Sequence, residues 1–191
     1  MNKRIIIFCL LASFWGLYSY LETPLSIRDY KDHRFVSLEV QTFNGYTLSH
    51  LEAYEGTFRI LSTEKYRMDK EAEISPVDFL VAWGEVDNPQ IYEKINWSQS
   101  GRYGRWSYQG ELPISMEIFQ SHVANMHMIA ANKNIAKKIK GIKKHQRVFI
   151  KGYLVEIKNQ QGWYWRSSLS RTDVGAGACE LMLLNEINII S

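Results

Sequence analysis

Residues Ile5 to Leu21 carry no charge, and Lys3 and Arg4 stand immediately before them. An uncharged run of this length folds as a helix and seeks apolar surroundings, which leaves two uses, an export signal or a membrane anchor. At about 1.5 Å per residue it spans about 25 Å, the short end of what a bilayer core of about 30 Å requires. The run closes on Tyr18-Ser19-Tyr20-Leu21 with no Ala-x-Ala cleavage pattern behind it. Aromatic residues at that end suit a membrane–water interface. The sequence thus predicts an uncleaved transmembrane helix over residues 1–21, with a cleaved signal as the alternative. The two cations hold the amino terminus in the cytoplasm. Residues 22–33 read as a polar connector and residues 34–191 as a single domain outside the cytoplasm.

Charge in that outer part is divided. Residues 22–117 carry 10 Lys/Arg against 16 Asp/Glu, a net of −6, whereas residues 118–191 carry 11 against 4, a net of +7. No acidic residue occurs from Ile118 to Val155. The halves attract within one fold, and the basic surface left over suits an anionic partner such as lipid head groups, an envelope polymer or nucleic acid. Export argues against nucleic acid as a routine ligand. Cys9 lies inside the apolar run, too early for a lipoprotein signal, so Cys179 is the one thiol of the outer domain and has no disulfide partner there. A buried structural thiol is the simplest expectation for it.

Period-two alternation marks Phe35 to Gln41 as a strand, and Asn44-Gly45 as a hairpin turn leading to a return strand from Tyr46 to Tyr54. Gly56 separates that strand from another beginning at Thr57, and Arg67 to Glu73 reads as a charged loop. Phe79 to Gly84 has the length and apolarity of a strand. Asn88-Pro89 opens a short helix near 89–95. Ile95 to Tyr108 reads as a hairpin turning at Gly101 or Gly104. Helices are expected from Ser115 to His122 and from Asn132 to Ile142, the second with Ile135, Ile139 and Ile142 on one face. Strands follow over Arg147 to Ile157, Trp163 to Leu169 and Glu180 to Ile190. Many short strands with one or two inserted helices predict a mainly β (α+β) domain. The preferred form is a small antiparallel β-barrel, either of the oligonucleotide/oligosaccharide-binding (OB) type or SH3-like.

Three constellations are candidates for chemistry. His122 and His127, five apart with Asn125 between them, offer an acid/base pair or two metal ligands. That spacing shares no helical face, and in a strand it points to opposite sides, so no metal site is expected. The segment from Trp163 to Glu180 gathers Arg166, Ser167, Ser168, Arg171, Asp173 and Cys179 around a glycine-bearing loop. Such a loop can meet an anion through backbone N–H groups, with Arg171 adding a bidentate contact, but Thr172 and Asp173 capping a tight turn explain it as well. A hydrolase could be assembled from Cys179 or Ser168, a histidine and Asp173. Trp97, Arg102, Tyr103, Arg105, Trp106 and Tyr108, with Trp163 and Trp165, interleave aromatic and basic side chains, a mixture that stacks on bases or sugars or forms cross-strand pairs. The catalytic candidates are thus His122, His127, Asp173 and Cys179. The ligand-binding candidates are Asn125, Arg166, Ser167, Ser168, Arg171 and Trp106. No cofactor is expected.

Ser75-Pro76-Val77-Asp78 with Ala82-Trp83-Gly84, His122 to His127, Arg166 to Leu169, and Gly175-Ala176-Gly177-Ala178-Cys179-Glu180 together resemble a family of uncharacterised bacterial membrane-anchored proteins. The resemblance covers most of residues 55–185. It implies a single-pass protein of the bacterial inner membrane with one periplasmic domain, and it carries no catalytic role. The expected function is a binding or accessory module of the cell envelope that contacts a protein or an anionic polymer. The rivals are a periplasmic hydrolase and a purely structural envelope protein.

Overall fold

The computed structural model describes residues 40–43, 45–170, 173, 175 and 177–190. They belong to a compact unit that starts at residue 34. The predicted anchor, the connector and most of the strand at 35–41 lie outside the described residues. Among the described residues no helix is long and apolar enough to cross a membrane.

The unit is mainly β. Its strands are β1 (Val40–Phe43), β2 (Tyr46–Lys65), β3 (Val77–Ala82), β4 (Ile95–Ser100), β5 (Tyr103–Tyr108), β6 (Val123–Ala130), β7 (Arg147–Asn159), β8 (Tyr164–Arg166) and β9 (Glu180–Ile189). Three α-helices intervene: α1 (Pro89–Tyr92), α2 (Met116–Ser121) and α3 (Lys133–Gly141). Each has an N-cap that the sequence supplies. Asn88 accepts from the amide of Gln90, Ser115 from Ile118, and Asn132 from both Asn134 and Ile135.

The sheet closes into a ring. β2 pairs with β3, β3 with β6, β6 with β9, β9 with β7, and β7 returns to β2. β2 makes closure possible because one half of it serves each side. Its residues 46–59 pair with β7 and its residues 59–65 with β3. Register shifts at Leu51 and Leu61 bend it between those neighbours. The expected break at Gly56 does not occur, because β2 runs straight through that residue opposite Ile150. The predicted loop at 67–73 holds a single 3-10 turn, Lys70–Glu73. The ring is also not wholly antiparallel, since β6 and β9 run parallel with Met126 opposite Glu180. The chain reaches that parallel partner only after α3, β7 and β8, a crossover that local periodicity does not reveal.

Alternation sorts the side chains. Val77, Phe79 and Val81 of β3, Ala124, Met126 and Met128 of β6, and Met182 and Leu184 of β9 fill the interior with Phe58, Ile60, Val148, Ile150 and Leu154. Ile135, Ile139 and Ile142 of α3 pack into the same cluster, as their helical spacing predicts. Two further clusters lie on the outside. The segment between β3 and β6 folds back as α1, the β4–β5 hairpin and α2, and joins Leu61, Leu80 and Ala82 through Ile91, Ile95, Trp97 and Phe119. Elsewhere Leu48, Ile74, Ile129, Val155, Ile157, Leu181 and Leu183 form a third cluster, with Trp163 and Trp165 against it. All three clusters are closed by residues of the 34–191 unit, so it carries its own core.

Candidate functional site

The outward positions of β3 and β6 are apolar at both ends and polar in the middle. Leu80 and Ala82 lie in one outer cluster and Ile129 in the other. Between them stand Asp78, Asn125 and His127, all buried. Asp78 faces His127 across the β3–β6 register, and Leu80 faces Asn125. A carboxylate, an amide and an imidazole placed under other chain segments require partners.

Arg102 is the main partner. It sits in the two-residue turn of the β4–β5 hairpin, where Gly101 and Arg102 both have positive φ, 59° and 73°. Two consecutive positive φ values give the turn that fits the twist of a hairpin, and they aim the Arg102 side chain at the sheet. Its guanidinium donates to both carboxylate oxygens of Asp69, at 2.9 and 2.7 Å, to Asp78 Oδ1 at 3.0 Å and to the Ser75 carbonyl at 2.7 Å. It lies over the Tyr66 ring, 3.9 Å from the centroid, with Trp165 at 5.8 Å. Its own amide donates to Tyr66 Oη, and its carbonyl accepts from Asn125 Nδ2. On the far side of Asp78, Oδ2 lies 2.9 Å from His127 Nδ1, and the His127 ring tilts against Trp165 at 4.7 Å. Asn125 Oδ1 accepts from Gln99 Nε2 of β4 at 2.8 Å, and its Nδ2 also faces the Cys179 sulfur at 3.8 Å. The result is a polar seam that latches the hairpin, the 66–76 loop and the start of β9 onto one face of the ring.

Within the seam the Arg102–Asp69 pair is held charged. Burial pulls the Arg102 pKa down, but the Asp69 hydrogen bond and the Asp78 charge outweigh it and the net shift is upward. The hydrogen bond from Arg102 holds Asp69 below its ordinary carboxylate value against the opposing effect of burial. Burial raises Tyr66. Among the described residues, no three His, Cys, Asp or Glu side chains are placed to share a metal ion.

The structure gathers some of the sequence candidates and scatters others. Asn125, His127 and Cys179 belong to the seam. His122 caps the end of α2, with Nδ1 2.7 Å from the Ile118 carbonyl and its ring 6.0 Å from that of Trp83. Ser167 is buried and spends its hydroxyl on local backbone, donating to the Ser168 carbonyl and accepting from the Leu181 amide. The Ser168 hydroxyl donates to Asp173 Oδ2 at 2.6 Å and accepts from the Ser170 amide, which is the turn-capping use of such residues. Arg166 makes an exposed cross-strand pair with Glu156 at 3.0 Å. Trp106 packs edge-on against Phe119 at 4.7 Å on the hairpin. Arg171 lies outside the described residues. Sequence reading missed Tyr66 and Asp69 and gave Arg102 no special place. The available signals were a lone carboxylate, Asp78, inside the apolar run from Val77 to Ala82, and a cation next to a turn glycine.

Cys179 is held as a neutral thiol. Burial lifts it from an ordinary 9.0 to about 11, with the Asn125 hydrogen bond opposing. Unfolding returns the thiol to its lower value, so stability is insensitive to this group below pH 9 and falls between pH 9 and about 11. A two-unit rise leaves about a hundredfold fewer thiolates at neutral pH, offset by roughly tenfold greater nucleophilicity of each. Iodoacetamide should therefore label Cys179 of the folded 34–191 unit at least about tenfold more slowly than the urea-unfolded chain. Labelling as fast in the folded unit would overturn the neutral-thiol assignment.

No protein-family model, curated protein or solved structure matches this chain.

Proposed function

We propose that this chain is a single-pass protein of the bacterial inner membrane, anchored by residues 3–21, whose periplasmic unit is a binding or accessory module for an anionic polymer of the envelope. We further propose that the ring is a small barrel of the OB type. Five strands closing in the order first, second, third, fifth, fourth, with a helix between third and fourth, favour that type over an SH3-like one. OB barrels take oligomers on the face of their second and third strands. The equivalent face here, on β3 and β6, is covered by the chain's own α1, hairpin and α2. A partner therefore has to meet another surface.

The observation that carries the reading is the outer side of α3 and its exit. Lys133, Lys137, Lys138, Lys140, Lys143 and Lys144 are all exposed, within a stretch that holds no acidic residue from 118 to 155. Lys133, Lys137 and Lys140 follow one another at i, i+4 and i+7, opposite the buried isoleucines, and so form a single stripe. The hydrolase alternative lacks an activated nucleophile. Cys179 is a neutral thiol, Ser168 donates a hydrogen bond to Asp173, His122 belongs to another part of the surface, and His127 faces Asp78. The 34–191 unit should be retained on immobilised heparin, used as a soluble polyanion, at low salt, and retention should fall as salt rises. Lys133→Glu, Lys137→Glu and Lys140→Glu together should abolish it. A unit that flows through, or a triple variant held as tightly as the parent, would refute the reading.

A further inference from the structure

The helix α3 has an apolar neighbour. At the end of β9, Ile189 and Ile190 are 54 % and 53 % exposed. They are not a frayed tail, because Ile189 pairs with Val148 of β7 and the Ile190 amide donates to the Arg147 carbonyl at 2.8 Å. Lys138 ties α3 to this strand end, since its Nζ donates to the Ile187 carbonyl at 3.0 Å and to Asn188 Oδ1 at 3.1 Å. Of the acids nearby, Asp87 is ion-paired with both Arg59, at 2.7 Å, and Arg147, at 2.9 Å. Glu186 lies opposite Lys151 in the β7–β9 register and accepts from Asn188.

Resting on the anionic-partner reading above, we infer that α3 and the Ile189–Ile190 end of β9 form one docking surface for an anionic phospholipid bilayer. Lysines provide long-range attraction to the head groups, and the two isoleucines enter the head-group region beside them. A soluble polymer can satisfy the lysines but gives two exposed isoleucines nothing apolar to enter, whereas a lipid surface satisfies both. Charge complementarity and the rigid attachment of the isoleucines to the sheet together select this occupant.

The test is co-sedimentation of the 34–191 unit with vesicles, using phosphatidylcholine alone or mixed with phosphatidylglycerol, at low ionic strength and at about 0.15 M. Binding is expected only with phosphatidylglycerol and should weaken with salt. Reversing Lys133, Lys137 and Lys140 to Glu should lower it by at least about a hundredfold, at roughly fivefold for each cation lost. Ile189→Ser with Ile190→Ser should lower vesicle binding by roughly tenfold, given partial burial of two side chains, while leaving heparin retention unchanged. Heparin retention without vesicle binding would overturn the lipid assignment and leave the anionic-polymer reading standing. Loss of both would overturn both. Vesicle binding unaffected by the two serines would overturn the role of the isoleucines.

Discussion

Asp78→Ala should destabilise the 34–191 unit by about 3 kcal/mol or more, read as a lower urea midpoint at unchanged slope. Asp78 has no exposed side-chain surface; its Oδ1 accepts from Arg102 at 3.0 Å, and its Oδ2 lies 2.9 Å from His127 Nδ1 without hydrogen-bond alignment. Removing it leaves the Arg102 guanidinium, only 13 % exposed, with Asp69 as its one carboxylate. Breaking one partner of a buried pair costs about 3–5 kcal/mol because the survivor stays buried, and retention of Asp69 places the effect at the lower end. The double variant with Arg102→Ala should cost less than the two singles added, by about 1–3 kcal/mol, since each single removes the same interaction. This cycle also separates the two meanings of the seam. A latch predicts a large cost and strong coupling. A loss below about 1 kcal/mol with additive singles would show that the fold does not need the seam. Asp78, Arg102 and His127 would then have to be explained by a ligand that fills it.

Local chemistry was legible wherever one segment decides its own conformation. Asn132 accepting from two amides, three isoleucines at helical spacing and lysines in the last turn specify α3 almost completely. The hairpin turning near Gly101 and the helix opening at Asn88-Pro89 were readable for the same reason. What the sequence hid is set by pairing between distant residues. β6 and β9 lie side by side although about fifty residues of chain separate them, and the parallel pairing depends on which faces fit rather than on propensity. The same holds for the seam. Asp69 looks like one more charge in a solvated loop until the hairpin brings Arg102 over it. His122 and His127 look like a pair until the strand alternation and the α2 cap send them to different surroundings. Motif reading weighted the serines, Asp173 and Arg166 by their chemistry. The structure gives Ser167, Ser168 and Asp173 to buried backbone and a tight turn, and gives Arg166 to a surface pair.

Gly152→Ala should open the ring. A Cβ added at Gly152 would collide with the Leu183 carbonyl oxygen and stand 3.0 Å from its carbon. Those atoms are backbone, so no side-chain rotation relieves the clash. Gly152 pairs with Leu184 where the β7–β9 register shifts, and Asn185 is the residue left unpaired there. β9 cannot simply slide away, because on its other side Leu184 is opposite Ala130 of β6 and its carbonyl accepts from the Ala131 amide. The strand must give up one neighbour or the other, at the upper end of overpacking costs, about 3 kcal/mol. Gly56→Ala is the matched control. Its Cβ would meet the Phe58 ring edge at 2.7 Å, so a buried ring rather than backbone has to shift, and about 1–2 kcal/mol is expected. Urea midpoints measure both, and hydrogen exchange should show the amides of β9 and of Ala131 losing protection in Gly152→Ala alone. Equal midpoints for the two variants would mean that β9 has room to move. The point reaches beyond stability, because β9 begins beside the Cys179 end of the seam and ends at Ile189 and Ile190. One strand thus sets the position of the latch and of the Ile189–Ile190 edge, and Gly152 fixes how closely that strand approaches β7.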